Sequence, residues 1–379
     1  MNDTLPMSGD HEGAGWWAER EAYADQPADL FAAAVDAGML NLPLPGGGRT
    51  ADRFAALAEV GEFDPVQACL AEGHTNALAI LAELDGPLPG DDRWGVWPIA
   101  DGLVAPAHRW PTASRTGQGW RIDGELAWCP GATICTRALV TAEAPDGLRF
   151  FAVENPGAAA PPGRRPVPDL AAGSVRCRAA SPVRFVATPA VPVGGAGDPT
   201  DRPGFWHAAI GVAACWYGGA VGVARPLLVA ARRAGIQPAG VGDGGPEPAR
   251  APARPGGRHA AEPEAPPVDP HLLANLGAVD ARLAAAAGLL RAAGAAIDTD
   301  PKADARRLAG QVRATVELTV TKVLDRVGRA LGAGPICLDP RHARRVADLT
   351  VTLRLTCPEP DAELTRLGEH LAAGGDPGW

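Results

Sequence analysis

His207 lies in the stretch FWHAAIGVAACWYGGAVG, Phe205 to Gly222. An imidazole titrates near neutral pH, so this side chain can act as a base or as a hydrogen-bond donor. Phe205, Trp206, Trp216 and Tyr217 crowd around it, although aromatics are only 5% of the chain and Tyr217 is one of two tyrosines. A proton-handling group among flat apolar rings suits a pocket for a planar ligand; the same residues would also make a greasy core helix. Helical spacing puts Trp206, Ile210, Ala213, Ala214 and Tyr217 on one stripe, and the glycines allow close approach by another element or a ring. The expectation is a pocket wall, with Trp206, Trp216 and Tyr217 as its aromatic residues. The run GGAVG lacks the preceding strand that a phosphate-binding loop needs.

Other chemistries find little support. Eight histidines are scattered without HxxxH or HExxH spacing, so no metal site is expected. Seven cysteines, an odd count with no CxxC pair, suggest reduced thiols and a cytoplasmic protein. A formal net charge of -9 argues against nucleic acid and anionic membrane surfaces as partners. The first residues show no basic start leading into an apolar run, so no secretory signal is expected. The longest run free of charge and histidine, Ala208 to Ala224, has seventeen residues and four glycines. That is the lower edge for a membrane span, and a buried helix is the expectation.

The elements that must position these residues come in three textures. From Ala28 to about Ala82 the pattern is helical, in ADLFAAAVDAGMLNL, ADRFAALAEVGEFDP and VQACLAEGHTNALAILAEL. From about Trp94 to Pro192 it changes to short β-like runs, GWRIDGEL, RALVTAE, LRFFAVE and PVRFVAT, separated by turn formers. That unit predicts a small barrel or sandwich. From Gly204 onward the helical period returns, most clearly in LGAVDARLAAAAGLLRAAGAAID. The Pro/Gly/Ala/Arg-rich segment 237–270 has no apolar face and predicts a flexible loop. The outcome is an α+β chain: an N-terminal helical domain over 1–92, a middle β-domain over 93–200 and a C-terminal helical domain over 201–379.

Several stretches in this order carry a likeness. AAAVDAGMLNLPLPGGG, LAEVGEFDPVQACLAEGHTNALAIL with His74, WRIDGELAWCPGA and RVGRALGAGPICLDPRHARRVADL together resemble the acyl-CoA dehydrogenase-like flavoprotein superfamily, over roughly residues 28–370. The resemblance implies FAD held between the β-unit and the C-terminal helices, in a homodimer or homotetramer. An alternative implied assembly is a hetero-oligomer with a paralogue. Trp128 matches the aromatic beside the flavin ring, with Cys129 and Gly131 offering backbone groups. Pro130 replaces the usual Ser or Thr, which removes one hydroxyl donor. Arg232 and Arg233 fall near the arginine that reaches the FAD pyrophosphate, a task suited to a permanently charged fork. Gly332 and Gly334 match the turn toward the ADP half, with Arg329 in place of a glutamine.

The family's catalytic glutamate position, eight residues after the Arg-Asp aspartate Asp348, is Thr356. Threonine cannot be a carboxylate base. Glu359, between Pro358 and Pro360, is the nearest acid, and His207 is the alternative base in the helix after the β-unit. The resulting expectation is an FAD-dependent oxidoreductase acting on a non-standard substrate, carrier-bound or free. A reduced-flavin-dependent monooxygenase and a degenerate, non-catalytic subunit are the alternatives.

Overall fold

A computed structural model describes residues 14–21, 26–87, 90–97, 110–155, 180–234, 269–356 and 362–374. Glu359 and nearly all of the segment 237–270 lie outside these residues. The first helices are α1 (Ala14–Glu19), α2 (Pro27–Asp36), α3 (Thr50–Phe63) and α4 (Pro65–Glu83). A single residue, Asp64, joins α3 to α4. Its carboxylate accepts from the Val66 and Gln67 amides at 2.8 and 2.9 Å, and Pro65 at the first helical position loses no needed donor.

Six strands follow: β1 (Trp94–Trp97), β2 (Thr112–Thr116), β3 (Gly119–Pro130), β4 (Arg137–Ala144), β5 (Gly147–Glu154) and β6 (Ala180–Val193). The sheet order is β1-β4-β2-β3-β6-β5, and a further pairing of β4 with β5 closes it. The expectation of a barrel or sandwich thus resolves to a barrel. β1 and β2 share one edge of β4, both running parallel to it. Its interior holds Ile122, Leu126, Val140, Phe151 and Phe185, each under 5% exposed. Ile122 and Leu126 on β3 and Phe185 on β6 each sit buried between more exposed neighbours, as a one-sided barrel wall requires.

The chain then returns to helices: α5 (Asp198–Asp201), α6 (Pro203–Arg233), α7 (Pro270–Thr299), α8 (Arg306–Leu331), α9 (Gly334–Leu338), α10 (Pro340–Thr356) and α11 (Ala362–Ala372). α6 packs on α3, α4, α7, α8 and α10 and forms the spine of the main core. Its glycines are the reason it can lie so close to α3. A Cβ on Gly218 would run into the Ala58 backbone, and one on Gly61 into the Cys215 carbonyl. Arg345 ties α10 to this pair, donating to the Phe63 carbonyl at 2.9 Å and to the Gly222 carbonyl at 3.4 Å.

A separate seam joins α4 to the barrel through Ala77, Ile80 and Leu81 against Trp94, Leu139 and Phe150. His74 sits in this seam. Its Nδ1 accepts from the Trp94 amide at 3.2 Å, and its ring meets Phe31 edge-on. Burial pushes the imidazole down to about 4, which keeps it neutral and able to accept. Both α6 and α7 are long and apolar enough to cross a membrane. In α6, 61% of the apolar window is buried inside the bundle, as expected of a core helix; in α7 the figure is 17%.

Candidate functional site

Strand β3 slips register against β6 between Leu126 and Cys129. The slip places two residues, Ala127 and Trp128, between the buried side chains of Leu126 and Cys129. Both Ala127 and Trp128 are exposed. Trp128 is 41% exposed, on the outer side of the barrel wall. A bulge re-aims side chains in this way, and leaving an indole in water forgoes the burial that a core aromatic would gain.

The turn after Trp128 is held rigidly. The Trp97 indole donates to the Pro130 carbonyl at 2.6 Å, and the Cys129 carbonyl accepts from Ala132. The Gly131 carbonyl accepts from Ile134 and Cys135. Gly131 has φ +69, and a Cβ there would press on Leu70 and the Cys135 sulfur. Cys129 itself is fully buried, and burial pushes its thiol far up. It is a core residue that can offer a ligand nothing from its side chain. The carbonyls of residues 129–131 are already taken, so this turn acts as a brace behind Trp128.

Arg232 and Arg233 are exposed at the C-terminal end of α6 and pair with no acid among the described residues. Arg329 differs. Its guanidinium is taken by Asp325 at 2.7 Å on the same helix face. Gly332, with φ +66, ends α8, and Gly334 opens the exposed α9. The aromatics of α6 go separate ways. Trp206 is half-buried, edge-on to Phe205 and under the Arg306 guanidinium at 5.2 Å. Trp216 is a core residue, 2% exposed, with Arg313 over its ring at 4.9 Å. Tyr217 faces a cleft between α3, α6 and α7. The expected single pocket wall of Trp206, Trp216 and Tyr217 is therefore not one surface. Adjacent positions on a helix, such as 216 and 217, are rotated by about 100°.

No family model and no curated protein matches the sequence. Solved structures do. The dibenzothiophene monooxygenase TdsC from Paenibacillus sp. A11-2 superposes with a TM-score of 0.70 at 16% identity, over 96% of this chain and 97% of that one. A glutaryl-CoA dehydrogenase from Mycobacterium smegmatis gives 0.69 at 14% identity, over 99% and 98%. The ChsE4-ChsE5 complex from Mycobacterium tuberculosis gives 0.60 at 17% identity, over 97% and 99%. The chain has the acyl-CoA dehydrogenase-like fold.

On this fold, α10 runs to Thr356, with no carboxylate at that position. His207 is 4% exposed on α6, and its Nε2 has no hydrogen-bond partner. Burial pushes its pKa down, and the neighbouring Glu83 and Asp298 carboxylates only partly oppose this. The ring is neutral at pH 7. Among the described residues no three metal-ligating side chains cluster.

Sequence reasoning passed over Glu72. It is the only acid or base of permanent charge between Pro65 and Ala82, and that isolation was the available signal. Burial pushes its carboxyl up to about 7, against the opposing pull of Arg53 on α3 and Arg313 on α8. Arg53 is itself pushed down to about 10 by burial and donates to the Pro43 carbonyl at 3.1 Å. Cys215 shares this interior; its thiol lies 3.7 Å from the Ala68 carbonyl. A carboxyl poised near neutrality inside a helical bundle is the kind of group that active sites use to hold or pass a proton.

Proposed function

We propose that this chain is a flavin-dependent oxidoreductase acting on a substrate other than a simple acyl-CoA. The observation that carries the reading is Trp128, set out on a bulged, braced strand of an acyl-CoA dehydrogenase-like barrel. A flat apolar ring at that place suits stacking against an isoalloxazine. Arg232 and Arg233, exposed at the end of α6 and without an acid partner among the described residues, suit the phosphates of FAD. FAD is the proposed cofactor; among the compared structures one is in complex with FADH2 and another of TdsC is FMN-bound. When bound, the flavin supplies an acceptor or donor of a hydride.

The chain's own residues then do three things. Trp128 and the turn behind it orient the ring, and Pro130 leaves one hydroxyl hydrogen bond unmade. His207, neutral and with Nε2 unpartnered, accepts a proton. Glu72 holds one near neutral pH. Thr356 supplies no carboxylate base, which argues against abstraction of an α-proton from an ordinary acyl thioester by a residue at that position. Glu359 lies outside the described residues and remains the nearest acid in sequence. The same gap at Thr356 supports the second reading, a monooxygenase fed with reduced flavin, which needs no acyl base. Oxygen uptake on mixing the protein with reduced FAD or FMN and candidate aromatic substrates distinguishes the two. Substrate-dependent uptake favours the monooxygenase; bleaching of oxidised flavin by an acyl thioester favours the dehydrogenase.

The proposed state is a cytoplasmic homodimer or homotetramer. The apolar, mostly unburied α7 supports assembly. Pairing with a paralogue is the alternative.

A further inference from the structure

Tyr217 opens onto a cleft of about 440 Å³ between α3, α6 and α7, and no barrel residue lines it. This is a volume usual for small-molecule sites. Phe54, Ala58, Val221 and Leu290 give it an apolar floor. Four charged side chains stand around that floor, and they are not equivalent. Glu62 and Arg225 satisfy each other at 2.5 Å. Arg291 is exposed, so water meets its needs. Glu59 is the exception: its Oε1 is shut off from solvent and accepts no hydrogen bond. A desolvated carboxylate oxygen without a donor is costly to leave unmet. Burial and the nearby Glu62 push the Glu59 carboxyl up, the direction expected of an acid lacking a cation. The Tyr217 ring at the rim adds a π-face of the kind that attracts cations.

We propose that this cleft binds a small ammonium-bearing molecule with an apolar body, its ammonium donating to Glu59 and its body lying on Phe54, Val221 and Leu290. Glu62 is already neutralised by Arg225 and Arg291 is solvated, which leaves Glu59 as the desolvated group that selects charge. A carboxylate-bearing ligand of the same shape meets repulsion there, and a neutral one leaves Oε1 with a weaker donor. The site is independent of the flavin reading, since it shares no residue with the braced strand.

Titration calorimetry on the full-length protein at pH 8 with n-hexylammonium, n-hexanol and n-hexanoate tests this directly. Charge-assisted hydrogen bonds predict that the ammonium binds about tenfold or more tightly than the alcohol. Glu59→Gln should abolish that preference, and Ala287→Phe, which fills the cleft from α7, should abolish binding of all three. Both variants should keep the wild-type melting transition and the wild-type mass by light scattering. No saturable binding, equal binding of hexanol and hexylammonium, or an unaltered preference in Glu59→Gln would overturn the proposal. So would a change in oligomeric mass in either variant, which would make the cleft a contact between copies of the chain.

Discussion

At the scale of single residues, the site was legible where a residue type announces itself and illegible where burial decides. Trp128 could be singled out because an indole in that strand pattern is conspicuous; its 41% exposure keeps it out of the barrel core, as the proposed flavin contact requires. Trp128→Ala should therefore weaken flavin binding by up to about tenfold, the value of a stacked aromatic pair. Its melting temperature should fall far less than the roughly 3–5 kcal/mol cost of truncating a fully buried Trp implies. Unchanged flavin affinity with a large stability loss, measured by calorimetry and thermal denaturation, would make it structural. Glu72 was invisible for the opposite reason. An acid in a helix reads as a solvated face until Arg53 on α3 and Arg313 on α8 are seen beside it. Its carboxyl is raised from 4.5 to about 7, so the folded state holds the proton more tightly than the unfolded chain does. The stability this confers is present below about pH 4.5 and is lost as the pH rises toward 7. Over that window wild-type stability should drop by on the order of 3 kcal/mol more than that of Glu72→Gln, at 1.36 kcal/mol per unit. Denaturant titrations at pH 4.5, 6 and 8 check the slope; parallel profiles would place the carboxyl in water.

At the scale of elements, periodicity located α2, α3, α4, α6 and α7 and the strands β3 to β6, because a 3.6-residue and a two-residue apolar repeat are read directly from the chain. It missed α1, a single turn and a half, and the short strand β2, whose TASRT carries almost no apolar pattern. Partners were the harder matter. The sequence put Trp206, Trp216 and Tyr217 on one helix, but only the neighbouring helices decide that Trp216 is core while Tyr217 faces a cleft. Glycines show the same limit. Gly218 and Gly277 look alike in an alanine-rich chain, yet Gly218 abuts the Ala58 backbone whereas nothing lies near a Cβ on Gly277. Gly277→Ala should stabilise the protein by about 0.5–1 kcal/mol through helix propensity. Gly218→Ala should destabilise it despite the same gain, since forced overpacking costs about 1–3 kcal/mol or more and the obstacle is backbone. Chemical denaturation of the pair settles the matter; stabilisation by both would mean that α3 and α6 do not touch at Gly218.

At the scale of the whole molecule, the order of helices, barrel and helices was legible, and it alone narrowed the fold. The closure of the barrel was not, because it depends on the pairing of β2 with β4 and of β5 with β6, strands far apart in sequence. Chemistry was less legible still. The proposed flavin stacks on Trp128, while Pro130 and Thr356 remove two groups by which the conventional reaction would be recognised. What remains is an acyl-CoA dehydrogenase-like frame with an exposed, braced indole, exposed arginines at the end of α6 and a neutral buried histidine. The claim that this frame holds a flavin is tested most directly by the absorption spectrum of the purified protein, as isolated and after incubation with excess FAD or FMN followed by gel filtration. Protein that retains flavin, with bands near ~375 and ~450 nm, is the predicted result. A colourless protein that shows no heat of binding with either flavin would contradict it.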